Sequence, residues 1–183
     1  IISMVIAGAQ HIIAGIFLGN SVGQNALASV NLVQPFKQVI IGFSMIISVG
    51  AMSYIGRTLG EGKKDDAQDI FKTALISTAV IASIISIFGW FFSVEIALLL
   101  GANDILLSGV ATYIRVVALF APIMSIMYLF GFIDRVVGKP NLYLRGMVIS
   151  LIICFVLNYL FVKELGYGLT GTAFALGLSY IGA

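Results

Sequence analysis

Charged residues divide this chain into apolar runs of membrane-spanning length. Between Lys37 and Arg57 lie 19 consecutive uncharged residues. At 1.5 Å rise per residue a helix of that length covers roughly 28 Å, close to a hydrocarbon core of about 30 Å. The uncharged run from Lys72 to Glu95 is longer still. The runs together predict helices over residues 1-19, 35-56, 70-94, 107-133, 142-162 and 170-183. This is an all-α polytopic membrane fold, a six-helix transmembrane bundle. Ile1 and the closing stretch Ser179 to Ala183 both fall inside apolar runs, the pattern expected of a bundle truncated at both ends of a larger protein. The first run has neither the basic leader nor the small-residue cleavage site of a signal peptide.

Basic residues set an expected orientation. Arg57, Lys63, Lys64 and Lys72 fall in the second connection and Arg135, Lys139 and Arg145 in the fourth, seven in all. The opposite side holds Lys37 and Lys163, with Arg115 if its side chain snorkels outward. Excess Lys and Arg mark cytoplasmic loops, so the chain start is expected to be cytoplasmic, in a multi-pass protein of the plasma membrane. Trp90, Phe91 and Phe92 then fall at the outer end of the third helix, where an aromatic belt belongs.

Composition identifies lipid as the solvent. Charged residues make up 10% of the 183 and hydrophobic ones 60%, before 20 glycines are added, whereas ordinary domains carry about 25% charged residues. Mean hydropathy is +1.10. A formal charge of +2 gives no reason to expect a nucleic-acid partner. One cysteine, Cys154, and one histidine, His11, allow no intrachain disulfide and no cysteine- or histidine-based metal cluster. The longest polar stretch, Gly60 to Asp69, lacks the glycine and Ser/Thr spacing of a phosphate-binding loop. It reads as a glycine turn followed by a helix start with acids in its first turn. No catalytic set and no intramembrane carboxylate is present, so no enzyme activity and no metal or organic cofactor is expected.

Small residues recur at helical spacing in Gly15 and Gly19, and in Gly171, Ala175, Ser179 and Ala183. Both stripes read as close helix packing within the bundle. Polar groups at membrane depth say more, because each is costly there unless it faces protein or water. Gln10 and His11 sit near the middle of the first helix, Gln34 and Gln38 open the second, and Ser150, Cys154 and Asn158 share one face of the fifth. Three helices are thus expected to offer polar stripes to a common interior. For Asn158 and the glutamines, structural hydrogen bonding and a solute pathway are both open readings. For His11, the titratable group in mid-span, the functional reading is preferred. Pro122 lies inside the fourth helix beside Phe120, Met124, Met127, Tyr128 and Phe130. Flexible, polarisable groups of this kind suit promiscuous apolar sites, so Met124 and Tyr128 join the pathway candidates, although lipid-facing packing explains them too.

The order of signals resembles the multidrug and toxic compound extrusion (MATE) family of cation-coupled antiporters. The resemblance is carried by Gly15-Ile16-Phe17-Leu18-Gly19 followed by Asn25 to Ser29, by the stretch from Gly50 to Ala67, by Leu99 to Asp104 with Tyr113 and Ile114, by Arg135 to Pro140, by Leu157-Asn158, and by Gly168 to Ala173. It implies the N-terminal half of a protein of two six-helix bundles around a central cavity. Such transporters export small amphipathic, often cationic compounds in exchange for a sodium ion or a proton. The implied partners are the lipid bilayer, those substrates and a C-terminal bundle outside this chain. The departures matter as well. Many family members carry an aspartate where this chain has Ala14, and a second acid where it has Val162. The resemblance therefore implies that coupling depends on carboxylates in the other half or on His11. Two rival expectations are a flippase of lipid-linked sugars from the same superfamily, which needs a basic lining, and a non-transporting structural subunit.

Overall fold

The computed structural model describes Gly8, Ile12, Gly15, Ile16, Gly19, residues 23–138 and residues 140–183. Among these residues the fold is entirely helical, without strands. From residue 23 onward seven α-helices follow one another: α1 (Gln24–Leu32), α2 (Gln34–Gly60), α3 (Lys64–Phe91), α4 (Ser93–Leu99), α5 (Asp104–Val136), α6 (Pro140–Asn158) and α7 (Gly168–Gly182). A π-helical turn, Tyr159–Glu164, extends α6. Among the described residues, four stretches are long and apolar enough to cross a membrane: Gln24–Gly60, Lys64–Phe91, Asp104–Val136 and Asn141–Glu164.

These spans match the predicted second to fifth helices, and α7 matches the sixth. The predicted first helix, 1-19, falls mostly outside the described residues. Two short helices were not predicted. The chain turns into α1 within the supposed loop after residue 19, and it breaks at Phe92 so that α4 runs separately from α3. Neither α1, at nine residues, nor α4, at seven, is long enough to leave a periodicity signal that a loop could not also give.

Local chemistry fixes the ends. Gly62 at φ +79° and Gly101 at φ +90° make the turns into α3 and α5, a left-handed geometry that other residues rarely adopt. Asp65 and Asp66 occupy the first turn of α3, where carboxylates complement the helix dipole. Asn103 caps α5, its side-chain oxygen accepting from Leu106 N–H at 3.0 Å. Between α2 and α3, Glu61 accepts from Lys63 at 2.9 Å and from Arg57 at 3.2 Å. The two contacts, Lys63 first, hold its carboxyl below the usual carboxylate range. All three groups are exposed, so they fix the loop more than they stabilise the fold.

The long central helix is α5, which packs against α1, α2, α3, α4, α6 and α7. Its most apolar window is 56% buried, against 22–33% for the other spans. Two apolar clusters hold its ends. Val33, Phe36, Ile40, Ala97, Ile114 and Val117 pack at the end bearing α1 and α4. Ala51, Ile55, Ala74, Leu129 and Ile133 pack at the end bearing Lys63 and Lys64. The outward faces are largely apolar, as at Ile46, Ile76, Ile87, Leu119 and Ile152. Trp90, Phe91 and Phe92 are exposed together at the α4 end. Such a surface belongs in lipid.

Close approach and short polar links join the helices. An added Cβ at Gly177 would run into the Phe120 ring, one at Gly89 would lie 2.6 Å from Phe36, and one at Gly131 would lie 2.7 Å from Tyr143. The Gly15 and Gly19 pair faces Leu27 of α1, which is packing inside the bundle. Ser44 on α2 donates to Ile40 O at 2.7 Å, and its Oγ is hydrogen-bonded to Ser125 Oγ on α5 at 2.8 Å. Gly177→Ala is therefore expected to destabilise the bundle by about 1–3 kcal/mol through overpacking. Gly42→Ala, at a helical position where a Cβ meets nothing within 4 Å, should hold or raise stability. Thermal unfolding of the two variants in detergent, read by size-exclusion fluorescence, checks the contrast. Equal melting temperatures would contradict it.

Candidate functional site

The site begins on α6. Ser150, Cys154 and Asn158 are four residues apart and stack on one face, and the structure buries all three completely or nearly so. Ser150 Oγ donates to Ser179 Oγ on α7 at 3.2 Å, and Ser179 Oγ donates to Leu176 O at 2.6 Å. Asn158 Nδ2 donates to Cys154 O at 2.8 Å and lies 3.4 Å from Cys154 Sγ. The Asn158 carboxamide oxygen, also buried, accepts from no described residue. A buried acceptor left unpaired costs free energy and marks a place where a donor is wanted.

Directly after Asn158 the backbone widens into the π-helical turn, with Leu165 N–H donating to Leu160 O at 2.9 Å. Such turns are frequent at functional sites. Val162 lies inside this turn and is buried. An apolar side chain therefore fills the position at which the resemblance places an acid.

Lys37 is the side chain that sequence reasoning counted among the basic residues of the opposite side and that the structure places in the interior. It sits in the first turns of α2 and is only 4% exposed. Its ammonium is within electrostatic reach of the Cys154 thiol. It forms no ion pair: the eight acids are Glu61, Asp65, Asp66, Asp69, Glu95, Asp104, Asp134 and Glu164, and none of them is buried. The spacing held the signal. Lys37, Ile40, Ser44, Ser48, Ala51 and Ile55 recur every three or four residues, and all are buried along one face of α2.

The glutamines lie off that face. Gln34 is half-buried and Gln38 is exposed, so they do not form a polar stripe toward the bundle interior. Lys37, Ser44 and Ser48 take that role. Gln38 instead shares its side of α2 with Met45, seven positions on.

Met45 lines a cavity of about 380 Å³. Its wall is formed by Met45 from α2, Met127, Tyr128, Gly131, Phe132 and Arg135 from α5, Tyr143, Met147 and Ser150 from α6, and Tyr180 from α7. Three methionines and four aromatic rings make it apolar and adaptable. The one charged wall residue is Arg135, whose guanidinium stacks 5.3 Å from the Phe132 ring centre. No carboxylate lines it. Of the pathway candidates, Tyr128 is in the wall, and Asn158 stands two turns along the face that Ser150 brings to it. Met124 is buried in helix packing and is not in the wall. Gln10, His11 and Ala14 lie outside the described residues. Arg115 reaches the α4 end, donating to Ser93 Oγ at 2.7 Å.

The MatE family model matches residues 1–160. This chain belongs to the MATE family. A relative described as the multidrug export protein MepA of Staphylococcus saprophyticus is 27% identical over 171 residues, covering 90% of this chain and 36% of its own length. Among solved structures, the outward-facing conformation of a multidrug resistance MATE family transporter of the MOP superfamily superposes with a TM-score of 0.91 at 27% identity, covering 98% of this chain and 40% of that one. A MOP superfamily transporter from Pyrococcus furiosus matches with a TM-score of 0.90 at 27% identity over 98% of this chain and 40% of its own. Its description states that reverse polarity of the binding pocket suggests a different function. The chain therefore spans well under half the length of these MATE relatives.

Asn158→Leu separates a binding role from a structural one in this MATE bundle. The substitution removes one intrahelical hydrogen bond but also the unpaired oxygen, so the change in unfolding free energy is expected to stay within about 1 kcal/mol. Denaturation of the purified protein in mild detergent measures it. A much larger loss would make Asn158 a structural residue.

Proposed function

We propose that the full-length protein carrying this bundle is a cation-coupled exporter of amphipathic xenobiotics. In this reading the protein resides in the plasma membrane with the chain start cytoplasmic, and this bundle faces a second across a central path. The observation that carries the reading is the methionine- and aromatic-lined cavity between α2, α5, α6 and α7, found in a family whose matched relative is named a multidrug export protein. The cavity has the volume and adaptable lining of a small-molecule site. Orientation follows from the basic end, where Arg57, Lys63, Lys64 and Arg145 gather at the mouths of α2, α3 and α6.

A sodium ion or a proton would drive export. None of the eight carboxylates in this chain is buried, so the coupling site needs acids from outside this chain or the imidazole of His11. For substrate charge, the resemblance implies organic cations, whereas the cavity wall holds a guanidinium and no carboxylate. That basic lining also favours the flippase of lipid-linked sugars as the second reading.

Expression of the complete gene in a pump-deficient host tests the proposal. Dye efflux should depend on a sodium or proton gradient. Met147→Trp, which fills the cavity, should reduce it at least about tenfold without lowering membrane expression. Gradient-independent retention of dye, with a cell-wall precursor defect on deletion, would favour the flippase instead. His11→Ala with an unchanged pH profile of efflux would remove the histidine from coupling.

A further inference from the structure

A buried ammonium needs a counter-charge. Removing an ion from water costs several kcal/mol unless it is paired, and charged groups inside membrane bundles mark ligand or ion paths. Lys37 is 4% exposed. Each of the chain's eight acids is accounted for, none is buried, and none pairs with Lys37. The nearby thiol of Cys154 is neutral in its ordinary form. No hydrogen bond joins Lys37 to Asn158. The counter-charge must come from beyond this chain.

We infer that Lys37 is an anion-binding group, and that the ligand it takes is an amphipathic anion whose acid group reaches Lys37 while its apolar body lies in the cavity. Three further observations support this class. The polar face leads from Ser150 in the cavity wall to Cys154, the group within electrostatic reach of Lys37, a rise of roughly 6 Å over four residues of helix. No carboxylate stands along it or in the cavity to repel an anion, and the other charged wall group, Arg135, is also cationic. The unpaired Asn158 oxygen accepts a hydrogen bond from a donor carried beside the acid group. A carboxylate, a sulfonate or a phosphate monoester meets these needs, and an organic cation does not. The inference rests on the cavity of the export reading and narrows its substrate class.

Dansylglycine, a carboxylate, and its neutral methyl ester form a matched pair of probes. Binding of each to the full-length protein in phosphatidylcholine vesicles is read at pH 7 by fluorescence anisotropy. The native protein should bind the acid at least about tenfold more tightly than the ester, the size expected of a charged hydrogen bond. Lys37→Met should abolish that preference and leave ester binding intact, which also shows that the variant is folded. Lys37→Arg should keep the preference. Should Lys37→Met lose both probes, Lys37→Arg decides: a retained preference supports the site and a lost one overturns it. Equal binding of acid and ester by the native protein, or an unchanged preference in Lys37→Met, would overturn the inference. Adding phosphatidylglycerol to the vesicles separates two sources of the anion. Displacement of dansylglycine assigns the site to a lipid headgroup and no displacement to a soluble amphiphile, and either result keeps Lys37 as the anion site. A protein that exports no dye yet shows the Lys37-dependent preference loses the export reading alone. One that exports dye but shows no preference loses only this inference.

Discussion

Lipid tails are as apolar as leucine, so burying leucine between membrane helices adds little driving force. What holds this bundle together is close approach of backbones where the side chain is small, supplemented by a few short hydrogen bonds. Gly177 against Phe120, Gly131 against Tyr143 and Gly89 against Phe36 and Ala118 fix α7, α6 and α3 on the central helix α5. The Ser44 to Ser125 hydrogen bond ties α2 to it. In each glycine pair the glycine is the hole and the aromatic or methyl group is the knob. Register is thereby set by these close approaches, alongside the two apolar clusters at the ends of α5. The same logic explains why α5 is the most buried span although it is no more polar than its neighbours: it presents contact surface on every side.

That constraint makes the interior inhospitable to charge and gives the charges that remain a meaning. All eight acids stay exposed or only part-buried, chiefly in connections and at helix ends. The ion pairs among them, Arg57–Glu61, Lys63–Glu61 and Lys72–Asp69, are exposed as well and fix loops rather than helices. Against this background the buried Lys37 is an asymmetry that electrostatics does not leave neutral. With Lys37 the one interior cation among the described residues and no interior anion beside it, the polar face carries a positive potential, and that potential discriminates among ligands before any contact is made.

Much of the architecture was legible in the residue pattern. Uncharged runs bounded by Lys37 and Arg57, or by Lys72 and Glu95, translate directly into α2 and α3 because spanning length is set by the bilayer. The polar face of α6 was legible too, since a spacing of four needs only one helix. The short helices α1 and α4 were not, because a single turn or two leaves no periodicity. Lys37 was missed for a related reason. A lysine beside an apolar run reads as the charge that ends it, whereas its burial depends on the rotation of α2 about its axis. That rotation is set by the partners of Ile40, Ser44 and Ser48 on other helices. Reading the buried register backward from Ile55 and Ala51 would have reached Lys37 and bypassed Gln38.

The π-helical turn shapes the site after Asn158. An ordinary α-helical continuation of α6 would give each residue after Asn158 a partner four positions away. Residues 159–164 bond five apart instead, which widens the turn at the point where Asn158 leaves its oxygen unpaired and where Val162 is packed inward. A carboxylate at 162 would place an anion in that widened turn and attract a free cation. Valine leaves there only the neutral amide, which holds a bare sodium ion poorly. With the acid missing and the Lys37 ammonium buried within electrostatic reach of Cys154, one turn before Asn158, the charge near this face is opposite to the pattern that the MATE resemblance implies. The geometry that would seat a cation then favours its opposite.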